Sequence, residues 1–304
     1  MLLENFRPDV KSRLGIDYET LSKVNPRLVY ASISGFGQTG PYATRPGFDQ
    51  IAQGMGGLMS VTGIPGHGPL RVGIPIADLT GGIFAAYGVT VALLEREASG
   101  KGQWLHTSLL EAMMYMMDFQ TSRWTIDGEI PGQAGNFHPT SIPTGVYKTK
   151  DGHINIAVFG GKIWERFAEA MGAPEWIEDE RSKTKSARSV HRDWLNAEIE
   201  KRLMQDTSEH WIEKLNAAGV ACGKINNIKE VFEEPQVQHL GILKKVVSPR
   251  LGEQVLMGQP VTLTRTPSTI ARSAPRRGEH TEEILGEIGF SPEELARMKS
   301  AGVF

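Results

Sequence analysis

From Gly73 to Leu94 the chain carries one charged side chain, the carboxylate of Asp78. Asp78 closes an apolar run, Gly73-Ile74-Pro75-Ile76-Ala77, and is followed by Leu79-Thr80-Gly81-Gly82. Apolar residues at helical spacing then continue from Ile83 to Leu94 and give way to Glu95-Arg96-Glu97. A helix that is apolar almost all round is predicted to lie inside a domain. A carboxylate where such a helix begins reads first as an N-cap, accepting from the first free backbone N–H groups. The same place favours the ionised form, which leaves the group available as a nucleophile. Spacing alone leaves both readings open.

Around this segment the pattern alternates between strands and helices. Residues 10–24 read as a short helix, with Leu14 and Leu21 as its apolar positions. Leu28-Val29-Tyr30-Ala31-Ser32-Ile33-Ser34 is short, β-branched and bounded by glycine, as a buried strand is. A helix is expected near Asp49, a strand over 104–109 and a methionine-rich helix over 111–124, its methionines serving as core filler. Gly, Pro, Asn, His and Thr crowd into 126–144, which reads as a linker or long functional loop. Beyond it, Gly145–Val158 is a hairpin with an Asp151-Gly152 turn, and helical segments at 162–171 and 191–218 complete a smaller α+β unit. Strand-like segments over 246–264 and a helix after Thr281 end the chain.

Bulk properties narrow the function classes. A chain of 304 residues can bury a sizeable core and hold two domains. A net charge of −2 offers no general basic field for nucleic acid or an anionic membrane surface. The one cysteine, Cys222, rules out an internal disulfide and fits a reducing, cytoplasmic setting; beside Val220 and Ala221 it reads as a buried thiol. The N-terminus lacks the apolar core of a signal peptide, and 83–94 is too short to span a bilayer.

Several motifs can be tested and set aside. Gly35-Phe36-Gly37-Gln38-Thr39-Gly40 is a literal G-x-G-x-x-G after a strand. It opens no helix, since Pro41 follows, and no acid stands about twenty residues on, so dinucleotide binding is not expected. No nucleophile elbow, Walker loop or H-E-x-x-H is present, and the eight scattered histidines predict no metal site. His138, in Asn136-Phe137-His138-Pro139, is the histidine placed to face a cleft, although a structural role is the simpler reading.

The blocks Glu4-Asn5-Phe6-Arg7-Pro8, Asn25-Pro26-Arg27-Leu28-Val29-Tyr30, Ser34-Gly35-Phe36-Gly37-Gln38-Thr39-Gly40-Pro41-Tyr42, Ile76-Ala77-Asp78-Leu79-Thr80-Gly81-Gly82, Gly100-Lys101-Gly102-Gln103 and Gly278-Glu279-His280-Thr281 occur in this order along the whole chain. In them the chain resembles the family III coenzyme A transferases, a group that includes carnitine-CoA transferases and α-methylacyl-CoA racemases. The resemblance implies an α/β fold, with a large Rossmann-like domain, a smaller α+β domain and a homodimer of interlocked rings. It places the large domain's first part at 1–120, a linker at 121–139, the small domain at 140–235 and a linker and return to the large domain at 236–304. Relatives usually carry a further N-terminal portion. Its absence here implies a misassigned start, a fragment or a diverged short form, with weak activity in isolation and an unpaired sheet edge.

By the same resemblance Asp78 is the catalytic aspartate, which carries coenzyme A as an aspartyl-CoA thioester between an acyl-CoA and a free acid. Asn5, Phe6, Arg7 and Arg13 match the block that meets the adenosine and phosphate end of CoA, with Arg45 as a further phosphate candidate. Arg71 is a candidate for an acceptor carboxylate. CoA enters as substrate, and neither a permanently bound cofactor nor a metal is implied. Racemases of the group place a proton-shuttling histidine where this chain has Phe48, which favours transfer over the alternative of an acyl-CoA racemase. A second alternative is a catalytically silent fragment. The glycine run of some formyl-CoA transferases is replaced here by Asn136–Pro143, while Ile225–Phe232 and Glu234–Val237 look most like members acting on dicarboxylates such as succinate or glutarate.

Overall fold

The computed structural model describes all 304 residues. Contacts divide the chain into two compact units, Met1–Lys224 and Ile225–Phe304.

The first unit begins with strand β1 (Leu2–Glu4), helices α1 (Pro8–Leu14) and α2 (Tyr18–Val24) and strand β2 (Tyr30–Ser34). Helices α3 (Asp49–Met55), α4 (Leu58–Val61) and α5 (Ile76–Ser99) lead to strand β3 (Trp104–Ser108). The strands form one parallel sheet in the order β1-β2-β3, with Glu4 opposite Ser32 and Ser32 opposite His106. Parallel neighbours need a crossover, and α1–α2 and α3–α5 supply the two. The expected helix over 10–24 is two helices, because Gly15 takes the left-handed conformation (φ 67°) and ends α1, after which Asp17 caps α2 through the N–H of Thr20 at 2.9 Å. At Gly102 only glycine fits, since a Cβ there would stand 2.1 Å from the carbonyl oxygen of Leu28.

Helix α5 corrects two expectations. It starts at Ile76, two residues ahead of the Asp78 that the sequence places at its beginning, and runs for 24 residues, long and apolar enough by length and composition to cross a membrane. Its small side packs on the sheet through Ala77, Thr80, Gly81, Ala85 and Ala92. The opposite stripe is not buried: Ile83 is 67% exposed, Tyr87 69% and Leu94 75%, and Leu79 and Val91 are exposed along the same stripe. Thin residues let the helix lie close to the sheet, and the bulky ones are left outside.

Helices α6 (Leu109–Met116) and α7 (Phe119–Thr125) replace the single helix expected over 111–124, the break falling at Asp118, whose φ is 45°. Of the methionines, Met113 is buried as core filler, whereas Met114 and Met116 are exposed. The antiparallel sheet β4-β5-β6 follows, from β4 (Thr144–Lys148), β5 (His153–Ala157) and β6 (Ala221–Lys224). Helices α8 (Gly161–Ala170), α9 (Lys185–Val190), α10 (Arg192–Leu203) and α11 (Ser208–Ala217) lie between β5 and β6 in sequence. Tyr147, Ile154, Ile156, Trp164, Phe167 and Leu195 are among the residues of its dense core. Cys222, on β6, is half-buried, and burial pushes its thiol up to about 11, so it stays protonated and inert at neutral pH.

The second unit holds helices α12 (Ile228–Glu233) and α13 (Pro235–Leu240), the hairpin β7 (Leu243–Ser248) with β8 (Gly252–Met257), and helices α14 (Thr281–Glu287) and α15 (Pro292–Ser300). The domain limits drawn from the sequence, with a small domain at 140–235, we carry forward as a proposal.

Candidate active site

Three loops leave the carboxyl ends of the parallel strands: Asn5–Arg7 after β1, Gly35–Gly40 after β2, and the turn from Ser108 into α6. In open α/β sheets this edge is where ligands bind. The first turns of α5 lie against it as well. Ala77 is buried with Leu109 and Met113, and a Cβ on Gly81 would meet Leu109 at 3.1 Å and Ile33 at 3.9 Å. Asp78 is therefore held near the ends of β2 and β3, with its side chain exposed.

Asp78 is not the N-cap expected from the sequence. Pro75 occupies that position and has no side-chain acceptor, so Asp78 is the third residue of the helix. The capping carboxylate comes from α3 instead: Asp49 Oδ1 accepts the N–H of Ala77 at 2.8 Å and that of Asp78 at 3.4 Å. Lost hydration, and then the nearby Asp49 charge, raise the Asp78 carboxyl above its ordinary value. A reaction that uses the ionised carboxylate will thus fail on acidification at a higher pH than an ordinary aspartate gives. A pH–rate profile checks this; an acidic limb at or below the usual aspartate range contradicts it.

The strand ends are braced by a buried lysine that the sequence does not announce. Lys11, on α1, spends its three N–H donors on Glu4 Oε1 at 3.3 Å, Ser32 Oγ at 3.1 Å and Gln38 Oε1 at 2.6 Å. Its ammonium lies 4.4 Å from the centre of the Trp104 ring, and the Trp104 indole N–H donates to the same Ser32 hydroxyl at 2.9 Å. β1, β2, β3 and the glycine loop are tied at one point. The loop is also constrained by Gly35 and Gly47, where a Cβ on either would stand 2.6–2.7 Å from the other's Cα. Gly35→Ala is expected to force these segments apart at about 1–3 kcal/mol, measured by urea unfolding.

The CoA candidates fall into two places. Asn5, Phe6 and Arg7 form the turn after β1, anchored where the Phe6 N–H donates to Glu4 Oε2 at 2.8 Å. Arg7 pairs with Asp9 at 3.0 Å, while Arg13 is exposed on α1 without an acidic partner. Arg45 sits in the loop before α3, its guanidinium 3.7 Å from the centre of the Tyr42 ring. Arg71 is exposed in the loop leading to α5.

The sequence pattern of CoA-transferase family III matches residues 1–281. The chain belongs to that family. It is 34% identical over 290 residues to a succinate–glutarate CoA-transferase of Agrobacterium fabrum, covering 95% of this chain and 72% of the relative. It is 37% identical to an acetyl-CoA:oxalate CoA-transferase of Acetobacter aceti, covering 87% of this chain and 67% of that one. Among solved structures, a CAIB/BAIF family protein from Brucella suis superposes with a TM-score of 0.79 at 32% identity, over 94% of this chain and 75% of that one.

Two further residues can be read within this family III CoA-transferase. Phe48 immediately precedes Asp49, is 75% exposed and has no group that can carry a proton. His138 stacks on Phe119, with ring centres 5.4 Å apart, and its Nδ1 accepts the backbone N–H groups of Thr140 and Ser141 at 3.2 and 3.0 Å. That fixes the proton of the neutral ring on Nε2. Burial, with Lys185 and Arg192 nearby, lowers its pKa, so the ring is neutral at physiological pH and organises the 136–143 loop.

Proposed function

We propose that this CoA-transferase moves coenzyme A from an acyl-CoA to a free dicarboxylate, with Asp78 as the covalent carrier. The observation that supports it most is Asp78 itself: an exposed carboxylate that no side chain holds, at the strand-end edge of a parallel sheet and on the first turn of a long helix.

In the first step the Asp78 carboxylate attacks the thioester carbonyl and expels CoA thiolate, leaving an acyl-aspartyl anhydride. The thiolate attacks the aspartyl carbonyl of that anhydride, releasing the donor acid as its carboxylate and forming an aspartyl-CoA thioester. The acceptor carboxylate attacks this thioester, expels the thiolate and forms a second anhydride. The thiolate then takes the acceptor's acyl carbon, and Asp78 returns as a carboxylate. Each step exchanges one anion for another, so no proton shuttle is needed, in keeping with Phe48. Splitting the exchange this way replaces one hard step with several easier ones.

Asn5, Phe6, Arg7 and Arg13 are proposed to receive the nucleotide end of CoA and Arg45 a phosphate, where a guanidinium can bond two oxygens at once. Arg71 is proposed to meet the distal carboxylate of the acceptor. The dicarboxylate is favoured by the Agrobacterium relative's name and by the C-terminal blocks, and the sequence Asn136–Pro143 in place of a glycine run counts against an oxalate/formate specificity that depends on such a loop. We further propose a cytoplasmic homodimer, whose partner would cover the apolar stripe of α5. An acceptor labelled with heavy oxygen tests the carrier role: one labelled atom is expected in the Asp78 carboxylate after a single turnover. Transfer that leaves Asp78 unlabelled would mean direct exchange between the two substrates.

A further inference from the structure

Asp49 does more than cap the start of α5. Its Oδ1 takes the N–H groups of Ala77 and Asp78, and its Oδ2 accepts from Gln53 Nε2 at 2.7 Å. Gln53 is wholly buried. Its Nε2 also donates to the carbonyl of Ile74 at 3.3 Å, and its Oε1 accepts the N–H of Val72 at 2.9 Å. Two side chains one turn apart on α3 thereby satisfy four backbone groups between Val72 and Asp78. Pro75 provides no side-chain cap, so this network is the polar tie on the strap that carries the nucleophile.

Resting on the reading of Asp78 as nucleophile, we infer that Asp49 and Gln53 are positioning residues, which fix the 72–78 strap so that the Asp78 carboxylate meets the thioester in a single orientation. Misplacing a reacting group by about 1 Å costs roughly 10²-fold in rate. Asp49 also leaves an electrostatic mark. The elements packed against α5 carry Asp49 on α3, Glu111 and Tyr115 on α6, His106 on β3 and Tyr30 on β2, and the charge that raises the Asp78 carboxyl is that of Asp49. Its negative charge favours the protonated form of Asp78.

The two roles separate by substitution. Asp49→Asn keeps an oxygen for the Ala77 N–H but loses the charge and the acceptor for Gln53 Nε2, because its Nδ2 only donates; Asp49→Ala loses all three. In the 304-residue chain, Asp49→Ala is expected to slow acylation of Asp78 by an acyl-CoA about 10–100-fold with little change in KM. Asp49→Asn should keep more of the rate than Asp49→Ala and move the acidic limb of the pH–rate profile to lower pH, because the repulsion of ionised Asp78 is gone. Gln53→Ala should resemble Asp49→Ala in rate while keeping the wild-type limb. Thermal unfolding of each variant shows which are folded; if Asp49→Ala is not, the limb of Asp49→Asn decides. Wild-type acylation by a folded Asp49→Ala, or an unmoved limb in Asp49→Asn, overturns the inference. Full transfer by Asp78→Asn would instead remove the nucleophile reading beneath it, so the two failures are distinguishable.

Discussion

Asp78→Asn is expected to lower CoA transfer by about 10³-fold or more while leaving acyl-CoA binding and the unfolding midpoint close to wild type. A carboxamide has the shape of the carboxylate but not its nucleophilic oxygen, so no anhydride forms and no CoA is carried. The fold tolerates the change because Asp78 is exposed and accepts no hydrogen bond that holds α5; that task belongs to Asp49. Initial-rate assays with an acyl-CoA donor and a dicarboxylate acceptor, alongside direct binding of CoA, separate lost chemistry from lost binding. A variant that binds normally and transfers at the wild-type rate contradicts the carrier role.

Lys11→Met is expected to destabilise the first unit by about 3–5 kcal/mol, because it leaves Glu4 buried and charged without its partner. The loss is not confined to one ion pair. Ser32 and Gln38 each lose a donor, and the glycine loop after β2 loses its tie to β1. Adding Glu4→Gln to Lys11→Met should recover part of the stability, since the uncompensated charge is removed as well. Denaturant unfolding of the two single variants and the double variant measures the coupling. Strict additivity would show that Lys11 and Glu4 contribute independently.

The strands and the order of elements were legible because local chemistry decides them. Tyr30–Ser34 lies in a short run, Leu28–Ser34, that contains Val29 and Ile33 and is closed by Gly35, and the hairpin over 144–157 turns where the sequence places Asp151-Gly152. The start of α3 at Asp49 was legible for the same reason. What misled was α5. Its hydrophobicity all round predicts burial, but its small residues, Ala77, Gly81, Ala85 and Ala92, take the sheet and leave Ile83, Tyr87 and Leu94 outside. Composition does not say which side of an apolar helix is covered.

The site divides in a similar way. Asp78 stands out because it is the one charge in its segment. Asp49 and Gln53 leave only a faint trace, an acid and an amide four residues apart at a helix start, and their partners lie some twenty to thirty residues ahead. Lys11 leaves none: it reads as one more surface charge on a short helix, and its partners come from β1, β2 and the glycine loop. Networks closed through space are invisible to spacing, and here they correct the meaning of the residue that was found. Asp78 stands on a helix capped by another acid, and its carboxyl is raised above its ordinary value rather than lowered by a cap of its own.

The central claim is a covalent bond between Asp78 and CoA. Incubating the chain with an acyl-CoA, quenching with hydroxylamine and mapping peptides by mass spectrometry tests it directly, since hydroxylamine turns an aspartyl thioester or anhydride into a stable hydroxamate. The predicted result is a hydroxamate at Asp78 that appears only with acyl-CoA and is absent from Asp78→Asn. Transfer that proceeds while Asp78 is recovered unmodified, or with the adduct on another residue, would contradict the account.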